Sequence, residues 1–396
     1  MAANLLTNSP MLAEGLTDDL LLVAFVVWLL GLWICSRDLP FLVALAVTSV
    51  KVAIPVVYFG WFFDGDWTFR DDLIYLSRGS LWLQHGLTPV RALIAPAPEG
   101  ISLLMSSGLY EWWNLLAQWL FGQHYYAPVF LNVLLTFVSG YFLFRLVRLS
   151  GFSEGYAKVL LVFFLLHWDV LAWSSFANLK DTLVMTLTVA GFYFIVGLSK
   201  RVTLGRLLGL GLIISIFFTI RWYVPAFMIA AGLLWGVLYL RGRRRYLLLL
   251  CCAIGGLGVV GRLGLGVFTA TFAQLSPTSI YGTIRTMFSP VPWSIDPGYS
   301  FLLVPSVLHW LLFLPALLGG WMLWRQSREA ALLLIYLALI LLLYGFVPEQ
   351  QGPRHRLQVS FVIAWAQFHF FWVMIREAVG QVALTRVAEV ARERGA

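Results

Sequence analysis

Charged residues are scarce in this chain of 396 residues. Asp, Glu, Lys and Arg make up 12% of it, hydrophobic residues make up 60%, and the mean hydropathy is +0.84. Soluble globular domains contain about 25% charged residues, so the composition excludes that class. Apolar stretches long enough to cross a hydrocarbon core of about 30 Å recur along the sequence. The composition therefore predicts a multi-pass membrane protein.

Cysteine is scarce as well. The three cysteines, Cys35, Cys251 and Cys252, lie in or beside apolar segments, a placement that does not suggest a disulfide framework. The sequence also contains no internal repeat, low-complexity run or soluble domain. We therefore expect one integral membrane domain over residues 1–380 and a short cytoplasmic tail over 381–396.

The apolar stretches predict an all-α bundle of about eleven transmembrane helices. We place them at 19–35, 41–63, 125–144, 157–173, 182–198, 206–222, 224–240, 246–262, 301–324, 330–347 and 357–375. Most of the 27 Lys and Arg residues then fall on one side of the membrane, for example in Arg241–Arg245 and Lys200–Arg201. The positive-inside rule makes that side cytoplasmic, with the N-terminus outside and the C-terminus inside. The net charge of +8 thus encodes orientation, and no nucleic-acid partner is expected.

Two expected external connections are longer than a turn, 64–125 and 263–300. Part of the first, Ile101–Phe121, is apolar enough to be mistaken for a further span. Its polar residues recur at helical spacing and form one stripe, which consists of Ser107, Glu111, Asn114 and Gln118. Tryptophans accompany the stripe. The pattern predicts an amphipathic helix that lies in the membrane interface.

Four acids follow the second expected span: Asp64, Asp66, Asp71 and Asp72. A carboxylate held at the membrane rim can be partly desolvated and can act as a general base. The alternative is a solvated loop in which Asp71 or Asp72 caps the helix that follows. Clustered carboxylates could also bind a divalent metal, but nothing in their spacing requires one. We expect no cofactor.

Basic residues lie at the external ends of several expected spans, where the positive-inside rule disfavours them. They are Lys180, Arg221 and the run Arg354-His355-Arg356. Such residues suit the phosphate of a lipid-linked substrate, because a guanidinium binds phosphate through two parallel hydrogen bonds. The alternatives are snorkelling of the arginines to the interface and mutual neutralisation of Lys180 and Asp181.

Three other charged residues have open roles. Asp169 is either a second functional acid or a polar residue at a helix end, and Arg285 lies in the second long connection. Lys51 lies inside the second expected span, where a charge that faces lipid is costly. We expect Lys51 to face the bundle or to snorkel, and we assign it no catalytic role.

Five short motifs occur along the chain in a defined order. They are Asp71-Asp72-Leu-Ile-Tyr75, Asn178-Leu-Lys180-Asp181, Phe218-Thr-Ile-Arg221, Phe288-Ser-Pro-Val-Pro-Trp293 and Gly352-Pro-Arg354-His-Arg356. Their order and expected side resemble the GT-C class of membrane glycosyltransferases, which includes protein O-mannosyltransferases, aminoarabinose transferases and bacterial envelope sugar transferases. The resemblance covers roughly residues 40–375. The chain departs from the class by an additional span before the acidic loop.

The resemblance implies an inverting glycosyltransferase with a polyprenyl-phosphate sugar donor and a glycan, lipid or protein acceptor. Asp71 or Asp72 would act as the general base. The donor phosphate would be held by Lys180, Arg221, Arg354, His355 and Arg356. Supporting roles would fall to Asp64, Asp66, Tyr75, Asp169, Asp181 and Arg285. No metal or other cofactor is implied, and the site would face the periplasmic side of a bacterial inner membrane.

Two alternatives to this function stay open. A polysaccharide polymerase or ligase is also polytopic and has a long external loop with Arg and His residues, although that loop typically comes late in the chain. A lipid-linked sugar flippase or transporter would be expected to show charged residues within its spans, or broken helices in paired halves. In the sequence only Lys51 lies clearly within a span, and no paired halves are detectable.

Overall fold

The structure is a computed structural model that describes residues 16–63, 70–94, 108–242, 246, 278–295, 297–347 and 352–395. Over these residues every regular element is a helix. The candidate acids Asp64 and Asp66 lie outside the described residues. So do the expected span 246–262 after its first residue and residues 263–277 of the second long connection.

The helices are named in chain order. They are α1 (Asp18–Cys35), α2 (Phe41–Val57, continued by a π-helical turn Tyr58–Phe62), α3 (Arg70–Gln84), α4 (Pro89–Ile94), α5 (Gly108–Phe121), α6 (Tyr126–Leu149), α7 (Glu154–Leu165), α8 (Trp168–Ser175), α9 (Asp181–Lys200), α10 (Leu204–Phe218), α11 (Tyr223–Tyr239), α12 (Thr278–Phe288), α13 (Leu303–Leu311), α14 (Phe313–Gln326), α15 (Arg328–Phe346), α16 (Pro353–Arg356) and α17 (Ser360–Gly395). Short 3-10 segments lie at Pro292–Ser294, Pro297–Leu302 and Leu357–Val359.

Six helical segments are long and apolar enough to cross a membrane. They are α1, α2 with its π-helical turn, α6, α9, α15 and the segment Pro353–Val379. Two further pairs are each bent at a short break, α7 with α8 by 45° and Tyr299–Leu311 with α14 by 53°, so up to eight spans are described. The chain is therefore a multi-pass helical membrane protein. The crossing of the shorter apolar helices α10 and α11 stays a prediction, as does the count of eleven.

Helices α6 and α9 form the enclosed centre of the bundle and position the candidate site. Both carry apolar residues on all faces, a pattern typical of a fully surrounded helix. Small polar side chains join them, since Ser139 Oγ and Thr186 Oγ1 lie 2.8 Å apart. Their first turns lie next to Tyr125 and Lys180, which both belong to the candidate site described below.

Helices α14 and α17 approach each other closely at a glycine. A Cβ atom on Gly319 would lie 1.9 Å from the carbonyl oxygen of Ala366, a distance that no side chain can adopt. Small residues permit such close contact between membrane helices, where packing replaces the hydrophobic effect as the main source of attraction. Gly319 therefore fixes how α14 lies against the last span.

The helix expected in the first long connection is present as α5, and the described residues of its polar stripe, Glu111, Asn114 and Gln118, face the protein. Ser107 of the stripe lies outside the described residues. Gln118 donates to the carbonyl of Leu76 over 2.9 Å, and Ser80 donates to Gln118 over 2.5 Å. Glu111 forms an ion pair with Arg78, and burial raises the pKa of the Glu111 carboxyl. The stripe thus joins α5 to α3, and its position relative to the membrane interface stays a prediction.

Lys51 faces the bundle, which is the first of the two alternatives predicted for it. It is fully buried, and its Nζ donates to the carbonyl oxygen of Leu165 over 3.1 Å. Leu165 is the last residue of α7, directly before the 45° bend. A cation at a helix C-terminus interacts favourably with the unpaired carbonyls and with the helix dipole. Lys51 therefore stabilises the break between α7 and α8.

Candidate functional site

The two adjacent acids lie in the first turn of α3 and have different surroundings. Successive residues of a helix point about 100° apart, so one acid faces inward and the other outward. Asp72 is fully buried. The side chain of Asp71 keeps 42% of its surface exposed. Only Asp71 is therefore open to a substrate in this conformation.

Asp72 connects three segments of the chain. Its Oδ2 accepts a hydrogen bond from the hydroxyl of Tyr125 over 2.6 Å, and its backbone carbonyl accepts one from the side chain of Asn178 over 3.3 Å. Burial and the nearby Asp72 carboxylate raise the pKa of Tyr125 well above its usual value, so the phenol stays a donor. A charged acceptor strengthens such a bond. Asp72 thus fixes the start of α3 against the start of α6.

Asp71 forms an ion pair with Arg354. Its Oδ2 lies 2.9 Å from Nη1 of Arg354, whose side chain is 27% exposed. Arg354 belongs to the short helix α16, which begins at Pro353, a residue whose fixed φ suits the first helical position. The pair therefore combines a partly exposed carboxylate and a partly exposed guanidinium at one point of the surface.

A second, buried ion pair lies beside the first. Oδ1 of Asp181 is 2.7 Å from Nη2 of Arg221 and 3.7 Å from Nδ1 of His355. His355 follows Arg354 directly, and its Nε2 lies 3.4 Å from Nε of Arg354. Arg221 is only 5% exposed, so it pairs with Asp181 and does not snorkel. His355 lies between the two ion pairs.

Lys180 adds a further cation to this group. Its Nζ lies 5.6 Å from the ring centre of Tyr75, within the range of a cation–π contact. Burial and the neighbouring Arg221 guanidinium lower the pKa of Lys180 to about 8. Desolvation disfavours the charged form of an amine. Lys180 therefore sits close to its titration point in a mildly alkaline solution.

Arg356 and Asp169 form a separate cluster with His309. Nη1 of Arg356 donates to the carbonyls of Ser289 over 2.7 Å and Met287 over 3.2 Å, at the end of α12. Its Nη2 lies 3.7 Å from Oδ1 of Asp169, and Nδ1 of His309 lies 3.8 Å from Oδ2 of Asp169. All three side chains are buried. Arg356 therefore anchors α12 in this structure, whereas Arg354 two residues earlier faces Asp71.

The last candidate, Arg285, is exposed on α12.

Two cavities adjoin these clusters. One of about 320 Å³ is lined by Arg354 and His355 together with Trp173 and Tyr299. The other, of about 590 Å³, lies between α14, α15 and α17 and is almost wholly apolar. Its polar lining residues at one end are His309 and Arg356. Arg354 and His355 therefore border a smaller cavity with a largely apolar lining, and Arg356 borders the larger apolar one.

Sequence reasoning missed Tyr125 and the residues bonded to Asn178. Tyr110 donates to Asn178 Oδ1 over 2.8 Å, and Asn178 donates to Asn114 Oδ1 over 2.6 Å. Asn132 donates in turn to the Tyr110 hydroxyl over 2.8 Å. The only signal in the sequence was the position of Asn178 in the motif that ends at Asp181.

Among the described residues, no three His, Cys, Asp or Glu side chains are placed to hold a metal ion.

Comparison with known proteins identifies no relative, so any function has to be inferred from the geometry of the site. No protein-family model matches the chain, and neither does any curated protein or solved structure.

Proposed function

We propose that the protein is a membrane glycosyltransferase that moves a sugar from a polyprenyl-phosphate donor to an acceptor hydroxyl. The observation that carries the proposal is the partly exposed Asp71–Arg354 pair, with its 2.9 Å separation. It combines a carboxylate, which can take a proton, with a guanidinium, which can bind a phosphate. Both groups are needed in one place for this reaction.

In the proposed step Asp71 is the general base. The acceptor hydroxyl gives its proton to the Asp71 carboxylate as its oxygen bonds to the anomeric carbon. The bond from that carbon to the donor phosphate breaks on the opposite face, and the polyprenyl phosphate leaves with the electron pair. The sugar configuration is therefore inverted. Asp72 is the positioning acid, because it is buried and bonded to Tyr125.

Arg354 and Lys180 bind the donor phosphate and stabilise the charge that grows on it as the bond breaks. Fixed cations aimed at a developing negative charge lower the barrier because they need no reorganisation during the reaction. Arg221 and His355 act through Asp181, which holds them within 2.7 Å and 3.7 Å. Arg356 supports the segment by anchoring α12.

The apolar cavity of about 590 Å³ supports a donor with a long hydrocarbon chain. Trp321, Trp324 and Leu317 line it together with residues of α15 and α17. The proposed eleven-span topology, with the N-terminus outside, places Asp71 on the external face. The basic connections on the opposite side support that orientation. For a bacterial inner membrane, the reaction would then occur at the periplasmic face.

The test is sugar transfer by purified protein in proteoliposomes with radiolabelled polyprenyl-phosphate sugars. We expect transfer by the native protein and by Asp19→Asn, an exposed acid in the first turn of α1. We expect at least about 100-fold slower transfer by Asp71→Asn when both variants show the native melting temperature. Equal transfer by Asp71→Asn and Asp19→Asn would overturn the assignment of Asp71.

A lipid-linked sugar flippase or transporter is the second candidate, because two bent spans meet in the structure. Gln367 bridges the two breaks: its Oε1 lies 3.0 Å from Nε2 of His167, and its Nε2 donates to the carbonyl of Leu312 over 3.3 Å. Broken helices that meet around polar groups are typical of transporters. Translocation of a fluorescent polyprenyl-phosphate sugar across liposomes without product formation would favour this candidate.

A further inference from the structure

A charged cavity lies at the end of the bundle opposite Asp71. Helix α6 starts next to Tyr125, the partner of Asp72, and is 24 residues long, so its two ends are about 36 Å apart. The cavity, of about 480 Å³, lies at the far end, between the α1–α2 connection and the α6–α7 connection. Its charged lining residues are Arg37, Asp38, Arg145, Arg148, Glu154 and Lys158.

The two acids of this cavity are already paired. Asp38 lies 3.0 Å from Arg145, and Glu154 lies 2.6 Å from Lys158. Four cations and two anions leave the lining with two positive charges in excess.

The excess charge belongs to Arg37 and Arg148, two exposed arginines. Arg37 stacks on the ring of Trp33 at 3.7 Å, and Arg148 donates to the carbonyl of Phe152 over 2.8 Å. Among the described residues neither forms an ion pair. Both guanidinium groups therefore have donors left for an anion.

The positive-inside rule explains why cations lie on this side of the membrane, but it does not require them to line one cavity. Here the cations come from three separate segments: the α1–α2 connection, the end of α6 and the second turn of α7. Like charges that line a concave site repel each other and raise the local potential for an anion. In addition, Nε of Arg145 is buried without an acceptor among the described residues. The cavity is therefore built for a negatively charged group.

The surroundings of the cavity indicate that the anion carries hydrocarbon chains. Trp33, whose ring contacts Arg37, and Phe41 and Leu42, which follow the lining residue Pro40 in the chain, are between 58% and 75% exposed. They belong to α1 and α2, two of the membrane-spanning helices. A ligand held here would therefore have its charged group in the cavity and its chains against these side chains.

We propose that this cavity binds the headgroup of an anionic phospholipid, with its phosphate between Arg37 and Arg148. Basic pockets between membrane helices bind such headgroups, and each nearby Lys or Arg strengthens the attraction. The site is independent of the proposed sugar transfer, because it lies at the other end of α6. Its ligand is a structural lipid and not a substrate.

The test uses the full-length protein in a neutral detergent and measures binding of short-chain phosphatidylglycerol by native mass spectrometry. The double variant Arg37→Gln/Arg148→Gln should bind it at least about tenfold more weakly than the native protein. Arg201→Gln, an exposed arginine that follows α9 at the same end of the bundle, should bind it normally. The charge-preserving variant Arg37→Lys/Arg148→Lys should retain most of the affinity. The single Gln variants repeat the comparison if the double variant does not fold.

Three results would overturn the proposal. The first is equal phosphatidylglycerol affinity in the native protein and in Arg37→Gln/Arg148→Gln. The second is equal affinity for phosphatidylcholine, which would remove the selectivity for negative charge. The third is binding of glycerol phosphate as tight as that of phosphatidylglycerol, which would identify the ligand as a free phosphate compound and not a lipid.

Discussion

The carboxylate of Asp71 and the guanidinium of Arg354 lie 2.9 Å apart, although 283 positions separate them in the chain. The contact joins the first turn of α3 to α16, so the first long connection closes onto the start of the last span. One partner is the proposed base, and the other is a proposed phosphate ligand. In the proposed reaction this contact would bring the donor phosphate and the acceptor hydroxyl within the length of one side chain.

Arg354→Gln should weaken donor binding. It removes a cation from the exposed ion pair, and a charge-assisted hydrogen bond is worth about 1.5–3 kcal/mol. We expect the KM for the donor to rise about 10- to 100-fold. The donor KM of Arg354→Lys should lie between those of the native protein and Arg354→Gln, because Lys keeps the charge but loses the planar two-pronged contact. An unchanged donor KM in Arg354→Gln would remove Arg354 from the donor site.

Tyr125→Phe should destabilise the protein. It removes the 2.6 Å hydrogen bond to the buried Asp72 carboxylate, and an underpaired buried charge costs about 1–3 kcal/mol or more. The measurement is the melting temperature in detergent. Tyr141→Phe is the control, because it removes the hydroxyl of a half-buried tyrosine nearer the other end of α6. Identical melting temperatures for the two variants would contradict the structural role of Asp72.

Arg221→Met should cost more stability than the double variant Asp181→Asn/Arg221→Met. The single change leaves a buried carboxylate whose closest cation, at 2.7 Å, is gone. Breaking a buried ion pair from one side typically costs about 3–5 kcal/mol, whereas removing both charges costs much less. Urea unfolding of the two variants measures the difference. If the double variant is less stable than Arg221→Met, Asp181 and Arg221 do not stabilise the protein as a buried ion pair.

Lys180 should produce opposite trends in activity and stability with pH. Its pKa is lowered to about 8 by burial and by the neighbouring Arg221 guanidinium. The ammonium that we propose binds the donor phosphate is therefore lost as the pH rises through 8, and kcat/KM should fall. Between that value and the usual 10.5 the unfolded state binds more protons than the folded state, so stability should rise. Lys180→Arg stays charged, and its kcat/KM should remain flat to higher pH. A native profile that is also flat from pH 7 to 9.5 would exclude Lys180 from phosphate binding.

The six helices that are long and apolar enough to cross a membrane, and the helix in the first long connection, could be predicted from the sequence, because hydropathy and helical periodicity are local properties. The cost of a charge in lipid left two positions for Lys51, inside the bundle or snorkelling to the interface, and the structure shows the first. The bend within the expected span 157–173 could not be predicted. No Pro or Gly marks Leu165 and the residues after it, and the break is stabilised from another helix by Lys51.

The roles within the candidate site depended on contacts that the sequence does not encode locally. Asp71 and Asp72 are adjacent and chemically identical. Their roles differ because Asp72 is bonded to Tyr125. Arg354 and Arg356 stand two positions apart in one motif, yet they meet different carboxylates, Asp71 and Asp169. Snorkelling of Arg221 was a reasonable alternative until Asp181 was found beside it. Each distinction comes from the packing of distant segments.

The most direct test of the proposed chemistry is single-turnover transfer by Asp71→Asn at saturating polyprenyl-phosphate sugar. A general base contributes about 10²- to 10⁴-fold. We therefore expect the transfer rate to fall by at least about 100-fold while the donor Kd stays within about threefold of the native value. A native transfer rate in Asp71→Asn, with the donor bound equally well, would contradict the role of Asp71 as the base.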